Sequence, residues 1–524
     1  MRTVIAALIG AIGIVMALVA AVPATAASAQ QARPTFTITP VASGLAIPWD
    51  VAETPDGTLI FDQRSGGLSV RRPNGTVSSL SADFSDLYTN GETGLMGLVL
   101  DPGFATNRRF YTCQGHQAGT AREIQVIAWT VDPGYTAATR VNDPLLGGIP
   151  ANTASGRHGG CRLRFDNTGA LMVSTGDAAT GSVPQDLTSL GGKILRINPE
   201  NGDPAAGNPG INDANRSTRL IWNYGHRNPQ GLALRPNGQM FNVEHGPGRD
   251  DEVNLVLSDR NYGWDPNGAG GSYDESVPMT DLQKFPDAQP ASWSSGVPTV
   301  ATSGATFLVG PQWQSWSGSL VVAQLAGQSL RRLTFSSDGL QQTSDELIPE
   351  FTGTYGRLRT AQLGTDGSLY LTTSNGTNDV ILKVTPTGPT PTPTPTPATP
   401  TPTPATPTPT PATPTPTPAT PTPTPAPGAT ATTTTLNVIP IDLPFSGGIA
   451  VLTANVAPAS AAGTVQFRDH DVNIGSPVPV RGGVAFGGVR FLPTGAHSLT
   501  AVFIPGNPAA FQPSTSSPPV TFTF

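Results

Sequence analysis

The chain has 524 residues, 12% of them charged, with 59 glycines, 54 prolines and a formal net charge of −7. That length exceeds one ordinary domain, and the weakly acidic balance gives no electrostatic reason to expect nucleic acid or an anionic membrane as a partner. Arg2 precedes an apolar, Gly- and Ala-rich run from Val4 to Val22, followed by the small-residue patterns Ala24-Thr25-Ala26 and Ala27-Ser28-Ala29. This predicts a signal peptide over residues 1–29, with an uncleaved anchor as the alternative for so long a run. No other stretch is apolar enough to span a bilayer. A secreted or cell-surface protein, with no membrane span after cleavage, is therefore expected.

Residues 35–388 read as one all-β domain. Asp56-Gly57 leads into TLIF, Thr168-Gly169 into ALMV, Asn237-Gly238 into QMFNV and Asp366-Gly367 into SLYL. Each is a polar turn before a short alternating strand, a hairpin signal. The spacings approximate one or two multiples of about 60 residues, the size of a four-stranded propeller blade with long loops. About six blades are expected at that period, with few helices. Cys113 and Cys161 are the only cysteines and lack zinc-site spacing. In an oxidising compartment such a pair is expected to be bridged, tying neighbouring early blades together; two buried thiols are the alternative.

Residues 389–428 alternate Thr and Pro, with Ala398, Ala405, Ala412, Ala419 and Ala426 at every seventh position. Such a tract adopts polyproline II at ~3.1 Å per residue, giving a semi-rigid linker on the order of 120 Å long, with Thr residues open to O-linked sugar. Residues 429–524 alternate in LNVIP, IAVLTANV, TVQFRD, VAFGGVRF, SLTAVF and VTFTF, which suggests an Ig-like sandwich. It resembles the bacterial Ig-like repeats of exported proteins. Without Trp or Tyr it lacks an aromatic platform for sugar, so it reads as a spacer or adhesion module.

The segment from Tyr224 to Trp264 is the richest in chemistry. His226, Arg227 and Arg249 lie among Gly246, Pro247, Asp250, Asp251, Glu252 and Tyr262. Guanidinium groups grip carboxylates, while carboxylates and exposed backbone carbonyls are the hard oxygen ligands that Ca²⁺ prefers. The mix suggests an anionic, metal-chelating cofactor, although a structural salt-bridge loop would look similar. No Gly-x-Gly-x-x-Gly opens a helix after a strand, so nicotinamide and flavin fingerprints are missing.

The order of the motifs adds to this: GHRNPQG, then EHGP, DDE and NYGW. Earlier come IPWD at Ile47 to Asp50, GLMGLVLDPGF at Gly94 to Phe104, the segment from His158 through Leu163, STGD ending at Asp177, and GGKILRINPENG at Gly191 to Gly202. GRLRTAQLGTDG ends at Gly367. From about Ala46 to Thr385 the chain resembles the soluble, pyrroloquinoline quinone (PQQ)-dependent sugar dehydrogenases, the glucose/sorbosone dehydrogenase family. The resemblance implies a six-bladed β-propeller that oxidises an aldose at the anomeric carbon to a lactone. The hydride passes to PQQ, and an external quinone or cytochrome takes the electrons.

By that resemblance, His158 is the general base, Asp177 orients it, and Arg227 lies with them in the catalytic set. Arg227 and Asn228 contact PQQ, joined by the later pair Arg357 and Arg359 and by Glu92. Gly246 and Pro247 offer carbonyls to the Ca²⁺ that bridges to PQQ. Glu252 and the backbone carbonyl of Tyr262 match a second, structural calcium site. Three positions depart from the family: Glu92 stands for a Gln, Arg157 for an Asp before the base, and Ala326 for a cofactor-binding Lys. The Ala326 departure and the Ig-like appendage favour the alternative of a non-catalytic propeller that binds at the cell surface.

Overall fold

The computed structural model describes residues 33–387 and 429–523, except 444–446, 471, 481, 493 and 494. The runs expected to be the signal peptide and the Thr/Pro linker lie outside these described residues.

Residues 35–387 form six four-stranded antiparallel sheets. The first five open on Val51–Glu53, Leu95–Leu100, Gly160–Phe165, Pro229–Leu234 and Thr302–Phe307, each sheet being contiguous in sequence. The last opens on Leu358–Leu363 and is completed by Thr35–Leu45, which pairs with Asp379–Thr387 through partners such as Ile38 and Val384. That pairing ties the two ends of the segment together. The opening strands are neighbours in succession, and Val51–Glu53 meets Leu358–Leu363, so the order closes on itself. The architecture is nearly all β and consistent with the expected propeller fold.

The expected turn-then-strand units are present as Leu59–Asp62, Leu171–Thr175, Met240–Glu244 and Leu369–Thr373. In one of these turns Gly238 has φ +92°, a left-handed conformation that glycine adopts without a Cβ clash. Apolar clusters fill the gaps between successive sheets. Ile60, Val70, Phe110 and Trp129 pack between the first and second sheets. Tyr111, Val126, Leu163 and Leu171 pack between the second and third. Leu59, Phe61, Tyr370 and Ile381 join the last sheet to the first. Strands such as Leu171–Thr175 and Leu320–Gln324 are buried at every residue, which explains their nearly continuous apolar sequence.

Polar groups cross-link the opening strands. Arg162 Nη1 lies 2.5 Å from Asp50 Oδ2, with both side chains fully buried. Thr360 Oγ1 donates to the Trp49 carbonyl at 2.7 Å, and Arg164 Nη2 donates to Gln362 Oε1 at 2.6 Å. Cys113 and Cys161 form the expected disulfide, with Cα atoms 6.2 Å apart. It joins the second strand of the second sheet to the first strand of the third.

Among residues 429–523, Thr433–Leu443, Gly447–Ala457 and Val484–Leu492 form one antiparallel sheet. A second contains Val472–Pro479, Gly463–Asp469, Ala496–Pro505 and Ser514–Thr515, with Val520–Thr523 also paired to Ala496–Pro505. Leu452, Val456, Val465, Phe467, Leu499 and Phe503 form the core of this part. Among the described residues, no helix is long and apolar enough to cross a membrane.

Candidate active site

His158 precedes the strand Gly160–Phe165, and Asp177 follows its hairpin partner Leu171–Thr175. The register pairs Gly160 with Thr175, so the two side chains emerge from adjacent strand ends. Gly176, in the STGD motif, permits the close approach: a Cβ there would meet the His158 carbonyl at 1.9 Å. His158 Nδ1 lies 2.8 Å from Asp177 Oδ1, and the two side chains are 3% and 0% exposed. Arg157 Nη2 lies 3.3 Å from His158 Nε2. A guanidinium only donates, so Nε2 carries the lone pair and Nδ1 carries the proton toward Asp177.

Asp177 is held on every side. Its Oδ1 also accepts from Ala179 N at 2.7 Å, while Oδ2 accepts from Trp264 Nε1 at 2.8 Å and Tyr273 Oη at 2.7 Å. Its own N–H donates to the Arg227 carbonyl at 2.9 Å. Burial, followed by the charge of Asp177, pushes the Tyr273 phenol up, which keeps it a donor.

Glu92 Oε2 accepts from His158 N at 3.1 Å, Asn228 Nδ2 at 3.0 Å and Gln230 Nε2 at 3.2 Å. Burial raises its pKa, but the histidines His245 and His158, the Asn228 bond and Arg359 outweigh it, holding the carboxyl below its usual range. With His245 uncharged at neutral pH, the negative charge noted as a departure is met by Arg359 and by the N–H groups of His158, Asn228 and Gln230. Asn228 Oδ1 in turn accepts from Gly160 N at 3.1 Å. Arg359 lies over the Trp49 ring at 3.7 Å and donates to Gln230 Oε1 at 2.8 Å. Burial, against the pull of Glu92 and with repulsion from Arg357, Arg162 and Arg64, pushes its guanidinium down to about 9. Arg357 is half-buried beside it, its N–H donating to Asn375 Oδ1 at 3.0 Å. Ala326 sits exposed in the turn after Leu320–Gln324.

Arg227 does not stand free as an anion clamp. Its Nη2 lies 2.6 Å from Glu275 Oε1, and Arg157 Nη2 reaches the same oxygen at 2.6 Å. Arg227 Nη1 donates to the His245 carbonyl at 3.1 Å, bringing the Gly246–Pro247 turn beside the site. His245 is half-buried overall, but its Nε2 is enclosed, and burial pushes the imidazole down to about 3.

The charged residues from Arg249 to Glu252 divide in two. Asp251 is a backbone staple: Oδ1 accepts from Gly246 N at 2.9 Å, and Oδ2 from Val300 N at 2.6 Å and Ala301 N at 2.7 Å. Asp250 accepts from Ser294 Oγ at 3.0 Å, and Arg249 donates to the Ser276 carbonyl at 2.7 Å. These three therefore serve the loop, as the salt-bridge reading had it, and do not converge on a ligand. Glu252 instead faces Glu244 across a strand pair, at 4% and 1% exposure. Burial first, then the Glu244 charge, raises the Glu252 carboxyl well above its usual value. The Tyr262 phenol is committed to the Leu255 carbonyl and the Leu257 N–H, and its ring stacks on His226 at 4.5 Å. Among the described residues, no group of three or more His, Cys, Asp or Glu side chains forms a metal cage. A cation here would draw on backbone carbonyls beside one or two carboxylates.

Sequence reasoning missed Glu244, Tyr273 and Glu275. Glu244 stands in the EHGP motif and was open to notice. Tyr273 and Glu275 lie in a largely irregular segment between Trp264 and Trp293, where no periodicity marks a side chain's direction.

Fold and site together define a sugar oxidoreductase of the glucose/sorbosone class. Residues 45–382 match the Glucose / Sorbosone dehydrogenase family, and the chain belongs to it. A solved structure from Thermus thermophilus, described as a putative oxidoreductase (glucose dehydrogenase), is 34% identical, with a TM-score of 0.56 over 67% of this chain and 100% of that one. Aldose sugar dehydrogenase YliI of Escherichia coli is 29% identical over 363 residues, covering 65% of this chain and 90% of that protein. The PQQ-bound aldose sugar dehydrogenase of Streptomyces coelicolor is 26% identical, with a TM-score of 0.53 over 67% of this chain and 100% of that one.

Proposed function

We propose that the chain is an exported, PQQ- and Ca²⁺-dependent dehydrogenase that oxidises an aldose or related sugar at the anomeric carbon to its lactone. In this reading residues 1–29 are a signal peptide, 35–388 a six-bladed β-propeller, 389–428 a linker and 429–524 an Ig-like domain. The observation that carries it is the buried His158–Asp177 pair, 2.8 Å apart, beside arginines gathered around one half-buried carboxylate, Glu92.

The residues fit a polyanionic cofactor. Burial is the main cause of the downward push on Arg359; a guanidinium does not give up its proton in proteins, so Arg359 stays a buried cation with Arg357, Arg162 and Arg64 near it. Arg227 Nε and His245 Nε2 are buried without a hydrogen-bond partner, and orphaned polar atoms are costly unless a ligand satisfies them. Arg227, Asn228, Arg357 and Arg359 would hold the carboxylates of PQQ, with Glu92 beside them. The carbonyls of Gly246 and Pro247 would hold the ion. When bound, PQQ supplies the two-electron acceptor for the sugar C–H bond, and Ca²⁺ polarises it as a Lewis acid. A second ion would sit at Glu252 and the Tyr262 carbonyl.

His158 Nε2 takes the proton of the anomeric hydroxyl, and Asp177 Oδ1 stabilises the imidazolium that results. Arg157, whose side chain is 44% exposed, must swing away from Nε2 to admit substrate. Reconstitution with PQQ and Ca²⁺, followed by dye reduction across a panel of aldoses, tests the function. Turnover is expected, and His158→Ala should reduce kcat by ~10²–10⁴-fold while PQQ stays bound. Bound PQQ without oxidation of any sugar would overturn the reading.

A further inference from the structure

Asp177 Oδ2 carries two donors that the proposed reaction does not use, Trp264 Nε1 and Tyr273 Oη, at 2.8 and 2.7 Å. Tyr273 Oη also lies 3.2 Å from His158 Nδ1. The tyrosine comes from the segment after Trp264, whereas His158 and Asp177 flank the first hairpin of the third sheet. Its hydroxyl therefore reaches the catalytic pair from outside the hairpin that builds it.

We propose that Tyr273 is a positioning residue that sets the proton affinity of His158 through Asp177; this rests on the reading of His158 as base. A carboxylate that accepts hydrogen bonds on Oδ2 has less negative charge to offer at Oδ1. Oδ1 is the atom that stabilises the imidazolium. The Tyr273 hydroxyl thus makes the pair less basic, keeping His158 free of its proton at lower pH, and it also fixes the carboxylate plane against the ring. Trp264 acts on the same oxygen in the same direction. The other charged groups around the pair are Arg157 and Glu275 on the Nε2 side, and Glu92 at the His158 backbone. The buried Lys193 faces Asp177 and His245 faces His158 electrostatically, while the Arg227 guanidinium, held on Glu275, acts on Tyr273. Tyr273→Phe leaves all of these in place and deletes a single hydroxyl.

The test compares wild type, Tyr273→Phe and Trp264→Phe by two readouts. One is titration of ¹⁵N-labelled histidines by NMR, with the His158 signal assigned through His158→Gln. The other is kcat/KM against pH with an aldose. In Tyr273→Phe the His158 midpoint and the acid limb of kcat/KM should both rise by about 0.5–1 pH unit. A severalfold fall in kcat and less than a twofold change in KM should accompany this. Trp264→Phe should move the midpoint the same way. Tyr135→Phe serves as the structural control: it removes a phenol bonded to Asp56 at 2.9 Å, remote from the site, and should lower Tm without moving either readout. If Tyr273→Phe lowers Tm but leaves both readouts in place, Tyr273 is merely structural and the proposal is overturned. If wild type oxidises no sugar, the functional reading fails, while the NMR midpoint still decides whether Tyr273 tunes the pair.

Discussion

Glu275 and Arg227 form an ion pair across the mouth of the site, with Glu275 Oε1 2.6 Å from Arg227 Nη2. Arg227 is nearly buried and Glu275 is 36% exposed. Burial raises the Glu275 pKa, but the bond from Arg227 and the charges of Arg227 and Arg157 hold its carboxyl below the usual range. One internal carboxylate therefore sits on the guanidinium proposed to bind a cofactor carboxylate, and the two must compete for it.

Glu275→Gln should accordingly tighten PQQ binding. A partly exposed ion pair is worth at most about 1 kcal/mol after solvent screening, which corresponds to roughly fivefold in Kd. Fluorescence titration of the apo-protein with PQQ and Ca²⁺ measures it. Equal or weaker binding by the variant would mean that Glu275 supports the cofactor site and does not occupy it.

Asp62 gives a pH dependence to stability. Burial first, and the neighbouring Asp50 charge second, push its carboxyl up to about 7 from an ordinary 3.8. Oδ1 accepts from Trp49 N at 3.1 Å and Asp50 N at 2.6 Å, while Oδ2 is buried without a partner. Between those two pH values the folded chain holds a proton that the unfolded chain has lost, so stability falls as pH rises from about 4 to 7. Asp62→Asn keeps the accepting oxygen and never ionises. It should flatten that slope and stabilise the protein at pH 8 by at most on the order of 4 kcal/mol, with little gain at pH 4. Urea midpoints at the two pH values decide it; equal gains at both would remove Asp62 as the titrating group.

Much of this was legible in the sequence, and the misses have physical causes. Four sheets announced themselves through a polar residue and glycine before the second strand. The second sheet makes its turn with the short helix Phe104–Asn107 and a left-handed Arg108 at φ 54°, so no glycine marks it. The fifth reaches Leu320–Gln324 through Gly318 at φ +85°, after a 3₁₀ segment Pro311–Trp316 that hides the period. His158 and Asp177 were legible because their motifs match the family's, and the structure places both at ends of one hairpin. The partners on Asp177 Oδ2 and on Arg227 were not, because Tyr273 and Glu275 enter from a long irregular segment. Asp250 and Asp251 looked like cation ligands by type, but backbone and hydroxyl donors satisfy them, and sequence does not show which oxygens are already taken.

Calcium should matter to stability apart from any role in turnover. Glu244 and Glu252 are opposed across a strand pair, both buried, and the first already accepts from His226 Nδ1 at 2.9 Å and Arg227 N at 3.0 Å. Two buried carboxylates without a cation repel each other, and binding of an ion relieves this. At a concentration 100 times Kd the ion contributes about 2.7 kcal/mol, or several degrees in Tm. Chelation with EGTA, in the absence of PQQ, should lower the Tm of wild type by that amount. Glu252→Gln should melt at the same temperature with or without Ca²⁺. An identical Ca²⁺ response in the variant would move the ion elsewhere.

The disulfide lies three residues beyond the base and connects two sheets through Cys113, with both sulfurs in fully buried residues. Exchange requires a thiolate to reach a sulfur, so the bridge should resist reductant under native conditions and yield only when the protein unfolds. With the cysteines 48 positions apart in sequence, the chain-entropy account assigns the bridge roughly 4 kcal/mol. Cys113→Ala/Cys161→Ala should therefore lower the urea midpoint strongly. Because His158 is also held by Asp177 and by Glu92 at its backbone N–H, the pair should keep its 2.8 Å contact, and kcat should fall no more than a fewfold. Alkylation of the wild-type protein before and after denaturation, read by mass spectrometry, tests the first claim; labelling of either cysteine in the folded, reductant-treated protein would refute it. Loss of turnover in a double variant that still folds would show instead that the bridge, more than the hydrogen bonds, keeps His158 in place.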